Sequence, residues 1–178
     1  MIINRIWEMP NKWTFQMQSI KSILQKYSVG KNWIDPFAGM TSPAEIRNDL
    51  NCETPAEYHL KADDFVKQLE NKYMGVLFDP PYSLRQVKEC YESYGIKFTQ
   101  YDSQESIRWN HLRDLISEKI LSAGYAINFG WNSSGFGMGR GFEIIEILLV
   151  CHGGAHNDTI VTVEQKSNQG DLFDICLK

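Results

Sequence analysis

The sequence predicts an α/β fold with a mostly parallel central sheet and an antiparallel C-terminal hairpin strand, and three observations carry that expectation. The first is the apolar run Val76-Leu77-Phe78, which stops abruptly at Asp79-Pro80-Pro81-Tyr82. Such a run suits a strand covered on both faces, and two prolines, each with a fixed φ and no N–H, cannot extend its ladder. The second is a recurrence of acids, Asp35, Asp49, Asp63 and Asp79, near the ends of successive candidate strands. Parallel strands bring such ends into one row, where open α/β sheets bind ligands. The third is the pair of β-rich runs Phe142–Cys151 and Thr159–Gln165, separated by a short polar loop, which reads as a terminal hairpin.

A chain of 178 residues is long enough for one sizeable core, so a single domain spanning 1–178 is expected. The net charge of -4 gives no general sign of a polyanion binder, so nucleic-acid binding would need a local basic surface. Cys52, Cys90, Cys151 and Cys176 contain no C-x-x-C pair and read as reduced structural thiols. No signal-peptide pattern opens the chain and no apolar run approaches a membrane span, so a cytoplasmic location away from membranes is expected.

Ile2 to Trp13 is rich in large apolar residues but broken by Pro10 and Asn11, and reads as an irregular arm. From Thr14, a candidate helix cap, Phe15, Ile20, Ile23, Leu24 and Tyr27 recur at helical spacing until Gly30. Trp33-Ile34-Asp35 is a short strand running into Pro36-Phe37-Ala38-Gly39, where Gly39 allows close approach of backbone to a ligand. Glu45 to Leu50 reads as a second strand, and the acid near its end, Asp49, has the usual position of a partner for ribose hydroxyls, or of a simple turn former. Ala56 to Leu60 is a third short strand, with Asp63 or Asp64 capping the helix that follows.

Beyond Tyr82, a helix is expected over Leu84–Tyr94, a loop over Lys97–Gln104, and a longer helix from about Ser106 to Ser122. Ile107, Leu112, Leu115, Ile116 and Ile120 form the inner face of that longer helix, and Gly124 stops it. Tyr125–Gly130 is the fifth strand. Trp131 to Gly141 holds four glycines without a strand-turn-helix context for phosphate, and is expected to be flexible or held by a partner. His152 and His156 lack a third metal ligand, so hydrogen bonding or solvation is the favoured reading. Leu172, Phe173 and Ile175 are expected to tie the tail to the body.

With Asp79-Pro80-Pro81-Tyr82 and Asp35-Pro36-Phe37-Ala38-Gly39 both placed, the chain resembles the amino-group methyltransferases that use S-adenosylmethionine. It looks most like the DNA adenine-N6 branch, including the small phage and mobile-element versions, over roughly Trp7 to Lys166. The resemblance implies a Rossmann-like methyltransferase fold, S-adenosylmethionine as cofactor, no metal, and Asp79, Pro80, Pro81 and Tyr82 as the catalytic set. In that reading Asp79 and the Pro80 carbonyl accept hydrogen bonds from the base amine, and Tyr82 stacks on a base flipped from its helix. The turn from Asp35 through Pro36, Phe37 and Ala38 to Gly39 would contact the cofactor, as would Leu50, with Asp49 on its ribose hydroxyls and Asp63 near its adenine amino group. Trp13, Thr14 and Phe15 occupy the place of the family's N-terminal cofactor motif.

Two departures from the family pattern matter. Thr41 stands where a second glycine is usual, and the stretch from Gly39 to Asp49 is too short for a full helix, leaving one side of the cofactor pocket less covered. A large recognition domain is also missing, which implies weak or short sequence specificity, or a homodimer or partner subunit that supplies recognition. DNA is the favoured polymer. Adenine in RNA, the N4 amine of cytosine, and a non-catalytic methyltransferase-like subunit remain as alternatives.

Overall fold

A computed structural model describes residues 1–105, 109–154 and 156–168. The expectations for Ile107, Cys176 and the apolar tail residues Leu172, Phe173 and Ile175 lie outside the described residues. Seven strands form one sheet: β1 (Ile2–Trp7), β2 (Trp33–Asp35), β3 (Ile46–Arg47), β4 (Tyr73–Phe78), β5 (Ile120–Gly130), β6 (Phe142–Cys151) and β7 (Thr159–Lys166). Their order is β1-β6-β7-β5-β4-β2-β3. Every pairing is parallel except the two made by β7, with β5 and with β6.

Strand alternation divides the core in two. Trp33, Leu77, Ile127 and Phe129 face α1 (Gln18–Lys26), whose Ile20, Ile23 and Leu24 complete that cluster. Ile34, Val76, Phe78 and Ala126 face the opposite way, towards α2 (Ala62–Gln68) and α5 (Asn110–Lys119). Gly75 is the close-approach point of the first face, because a Cβ there would lie 2.5 Å from the Trp33 ring. The remaining helices, α3 (Leu84–Ser93) and α4 (Gln100–Glu105), follow the β4 tip.

The structure corrects several local expectations. Ile2–Trp7 is a strand rather than an irregular arm: it pairs with β6 in unbroken parallel register from Ile2↔Glu146 to Trp7↔Cys151. All six of its residues are exposed, so no alternation of burial marks it in sequence. Thr14 opens a 3-10 turn, and α1 is capped by Glu8, whose carboxylate accepts from the N–H groups of Gln18 (2.6 Å) and Ser19 (2.9 Å). The second strand shrinks to Ile46–Arg47, and Ala56–Leu60 contributes only the bridge Asn48↔Tyr58. The Asn48 side chain takes over as a rung there, donating to the Leu60 carbonyl (3.0 Å) and accepting from the Leu60 N–H (2.9 Å). Neither Asp63 nor Asp64 caps α2; both lie in its first turn, where a negative charge suits the helix dipole.

The segment expected as a loop contains α4, started by Thr99 and Asp102, which exchange hydrogen bonds in a capping-box pattern. The long helix is shorter than expected, because Ile120 already pairs with Tyr73. A bulge with Ala123 at φ +60° absorbs the offset before regular pairing resumes at Tyr125, so Gly124 lies within β5. The connection from β2 to β3 contains no helix, as its length predicted.

Candidate active site

The chain passes from β2 outward to β3 and then returns to β4 on the other flank of β2. The sheet therefore has a topological switch point between β2 and β4, and a ligand crevice is expected at their carboxyl ends. Asp35 closes β2 and Asp79-Pro80-Pro81-Tyr82 follows β4, so both sequence motifs meet at this point. Two cavities flank the tetrapeptide, one of about 430 Å³ and one of about 530 Å³, and Pro80, Pro81, Tyr82 and Trp109 line both.

The first cavity gathers many of the predicted residues. Thr14, Pro36, Phe37, Asp49, Leu50 and Asp63 line it together with Asp79. Asp49 is fixed by two backbone donors, Gly39 N–H and Asn51 N–H, both at 2.8 Å. Gly39 supports this turn at φ +54°, where a side chain is disfavoured. Asp35, by contrast, is wholly buried and does not line the cavity: it accepts from Phe37 N–H (2.9 Å) and the Ser42 hydroxyl (2.6 Å), and so folds its own turn. Trp13, Phe15, Ala38 and Gly39 also stand outside the lining. Phe15 packs edge-on against Phe129 in the core.

Sequence reasoning missed Lys61, Tyr91 and Asp102 on the far wall of this cavity. Lys61 Nζ lies 3.2 Å from Asp102 and 4.8 Å from the centre of the Tyr91 ring. The Thr99-x-x-Asp102 spacing is a cap signal that would have placed a helix, and with it this wall.

At the tip, burial raises the pKa of Asp79 above its ordinary value, while hydrogen bonds from Tyr82 and Thr14 pull it back part of the way. The Tyr82 hydroxyl donates to Asp79 Oδ1, and its own pKa rises through burial and the adjacent carboxylate. Burial pushes Asp35 up to about 7, against the opposing bonds from Ser42 and Phe37 and with a further push from the charge of Asp79.

The second cavity is aromatic and basic. Tyr82 and Trp131 rings meet there at 5.4 Å, and Arg113 and Arg140 line the wall. Burial, and Arg140 nearby, lower the Arg113 pKa, and its guanidinium lies 5.2 Å from the Phe78 ring centre. The glycine-rich segment 131–141 forms much of this wall and is held in place rather than flexible. The wholly buried Glu164 on β7 accepts from Phe136 N–H (2.6 Å), Gly137 N–H (2.8 Å) and Asn128 Nδ2 (2.9 Å). Gly135 has no room for a Cβ against that carboxylate. Arg140 adds bonds to Asp114 (2.6 Å), the Phe136 carbonyl (2.9 Å) and the Asn110 carbonyl (3.2 Å). Asn128 and Glu164 are polar residues inside otherwise apolar strands, and that interruption was the available signal.

His152 lies away from these cavities, its ring nitrogens 2.7 Å from the Glu8 carbonyl and 2.9 Å from the Thr159 hydroxyl. Among the described residues, no group of three or more His, Cys, Asp or Glu is placed to hold a metal ion, and no helix is long and apolar enough to cross a membrane.

No protein-family model matches the chain, and no curated protein matches it in sequence. Solved structures do match in shape. Among them, yhhF from Escherichia coli, a candidate methyltransferase, superposes with a TM-score of 0.55 at 10% identity, covering 92% of each chain. N-methyltransferase NodS from Bradyrhizobium japonicum WM9, solved in complex with S-adenosyl-L-homocysteine, gives 0.52 at 8% identity over 89% of this chain and 90% of NodS. TrmN from Thermus thermophilus gives 0.50 at 16% identity over 84% of this chain. The chain spans about half of TrmN, 49% of its length.

The fold is the Rossmann-like methyltransferase fold. Within this methyltransferase fold, the switch-point crevice is the first cavity, and the tetrapeptide separates it from the second. The strand β1, beyond β6, is the outer edge on the side away from the crevice.

Proposed function

We propose that this chain transfers a methyl group from S-adenosylmethionine to the exocyclic amine of a nucleic-acid base, with N6 of adenine in DNA as the acceptor. One observation carries the reading: Asp79-Pro80-Pro81-Tyr82 forms the seam between an acid-lined cavity at the switch point and an aromatic, basic cavity beside it. A donor and an acceptor seated on the two sides would meet at that seam.

The residues of the first cavity fit the cofactor chemically. Asp49 is oriented by Gly39 and Asn51 and retains lone pairs for ribose hydroxyls, Asp63 stands near enough to the same space to serve an adenine amino group, and Pro36, Phe37 and Leu50 supply apolar walls. S-adenosylmethionine, when bound, supplies an electrophilic methyl group on a positively charged sulfur. Asp35, Ala38 and Gly39 act behind this wall by shaping the turn, and Thr14 reaches the site through its hydrogen bond to Asp79.

An exocyclic amine is a weak nucleophile because its lone pair is delocalised into the ring. Asp79 and the Pro80 carbonyl accept its two N–H bonds, which favours a pyramidal nitrogen with the lone pair directed at the donor side. The two prolines fix that carbonyl before the base arrives. The Asp79 carboxylate also offsets the positive charge that builds on nitrogen. Tyr82 leaves Asp79 when the amine takes its place, and its ring then stacks on the extruded base beside Trp131. Arg113 and Arg140 put two guanidinium groups on the wall of the second cavity, where the overall charge of -4 gives no sign of them.

Incubation with labelled S-adenosylmethionine and DNA or RNA, followed by nucleoside analysis, tests the proposal. Label in N6-methyldeoxyadenosine is expected; label in N4-methyldeoxycytidine or N6-methyladenosine would reassign the acceptor, and no label in any nucleoside would refute the reading. Asp79→Ala is expected to lower turnover by at least about 10²-fold while S-adenosylhomocysteine binding, followed by calorimetry, stays within a few fold. Retained turnover in that variant would overturn the role given to Asp79.

A further inference from the structure

The two edges of the sheet are built differently. The β3 edge is two residues long, is covered by the Asn48↔Tyr58 bridge, and carries the Arg47–Glu57 ion pair at 2.5 Å. Short length, charge and cover are the usual means by which proteins keep an edge strand from pairing with another chain. The β1 edge is longer and uncovered, and Arg5 is its one charged residue. It runs six residues in regular register, without bulge, proline or lysine, and exposes Ile2, Ile3, Ile6 and Trp7, the last at 65%. Met9, just beyond the strand, is exposed as well. A flat apolar edge of this kind presents unpaired backbone donors and acceptors to any strand that fits.

The strand fits itself. In an antiparallel pair with a two-fold axis perpendicular to the sheet, the axis passes through the centre of an opposed residue pair, so one residue faces its own copy. Centring on Asn4 sets Asn4 against Asn4, Ile2 against Ile6 and Ile3 against Arg5, with Met1 against Trp7. Ile2–Ile6 and Met1–Trp7 set apolar against apolar, and no charge opposes a like charge. Centring on Arg5 instead sets two guanidinium groups directly opposite each other, and centring on Ile3 shortens the paired length and sets Met1 against Arg5. Charge and length therefore select one register. The strand is also held firmly enough to act as a template: Asn4 donates to Glu146 (3.2 Å) and Arg5 to Cys151 (3.2 Å), and the backbone N–H of Glu8 continues the ladder to the Cys151 carbonyl (3.1 Å).

We infer that β1 is the interface of a homodimer in which two copies join edge to edge, antiparallel and centred on Asn4, to give one continuous sheet of fourteen strands. The inference is independent of the proposed chemistry. In this dimer both crevices remain open, because β1 lies at the opposite end of the sheet from β2 and β4.

Light scattering on the full chain, coupled to size exclusion, is expected to give twice the 20.6 kDa chain mass. Ile6→Lys is expected to return it to 20.6 kDa with an unchanged circular dichroism spectrum and a melting midpoint that no longer rises with protein concentration, since Ile6 is exposed in the single copy. Register is read by oxidation in a Cys52→Ser, Cys176→Ser background: Asn4→Cys is expected to give a disulfide-linked dimer, and Ile6→Cys, which faces Ile2, is not. A single chain mass throughout the micromolar range would overturn the inference. A dimer that survives Ile6→Lys would overturn it too, as would one that links through Ile6→Cys but not Asn4→Cys.

Discussion

The buried carboxyl of Asp35 makes a prediction that can be worked from the structure. It ends β2 with no exposure to solvent, and burial lifts its pKa from 3.8 to about 7 although Ser42 and Phe37 donate to it. Its folded-state pKa lies above its unfolded value, so between these limits the folded protein holds a proton that the unfolded chain has released. Stability from this group is therefore full below pH 3.8 and is lost as the pH rises towards about 7. At 1.36 kcal/mol per pH unit the loss reaches about 4 kcal/mol, a large share of the roughly 5–15 kcal/mol that holds a domain folded. Asp35→Asn keeps a carbonyl to accept from Phe37 N–H and an amide that can donate to the Ser42 oxygen, but does not titrate. Urea unfolding of both proteins at pH 5, 6 and 7 is the assay. The wild type is expected to lose about 2 kcal/mol relative to the variant over that interval, with the slope flattening as the pH nears about 7. Parallel midpoints for the two proteins across the series would refute the reasoning.

Two further perturbations test the site. Tyr82→Phe removes a hydrogen bond that lowers the Asp79 pKa in the free enzyme, so the acid limb of the kcat/KM profile, where the carboxylate becomes protonated, is expected to move to higher pH; an unmoved or acid-shifted limb would show that the contact does not hold Asp79 ionised. Glu164→Gln leaves one acceptor oxygen where the carboxylate had two serving Asn128, Phe136 and Gly137, and is expected to cost about 1–3 kcal/mol in thermal unfolding and to open segment 131–141 to protease. Unchanged cleavage in that segment would show that the glycine-rich wall stands without Glu164.

The parts of the fold legible in sequence were those whose cause is local. Trp33–Asp35 and the Phe142–Cys151 hairpin strand match their expected bounds because β-rich residues end at sharp breakers or polar turns. The tip at Asp79 was legible for the same reason, since prolines terminate a strand wherever they occur. What failed depends on distant partners. β1 is a strand only because β6 lies beside it, α1 is capped by Glu8 from outside the helix, and Ile120 leaves a helix-forming stretch to pair with Tyr73. The candidate site divides along the same line. Asp49, Asp63 and Asp79 reached the cavity as strand and helix ends predict, whereas Asp35, at an equally suggestive position, is consumed by its own turn. Glu164 and Asn128 belong to the wall through contacts about 30 residues apart, which no local pattern records.

The pairing of β1 with β6 also sets a timetable for synthesis. Residues 2–7 are made before the strand they pair with, at 142–151, exists. At the usual ~5–20 residues per second, the ribosome needs roughly 7–30 s to bridge that interval. Throughout it the nascent chain carries Ile2, Ile3, Ile6 and Trp7 with no β6 to dock on. Residues 2–7 thus take their place in the sheet only once β6 has been made, and a chaperone that shields short apolar segments would act on this stretch in the interval.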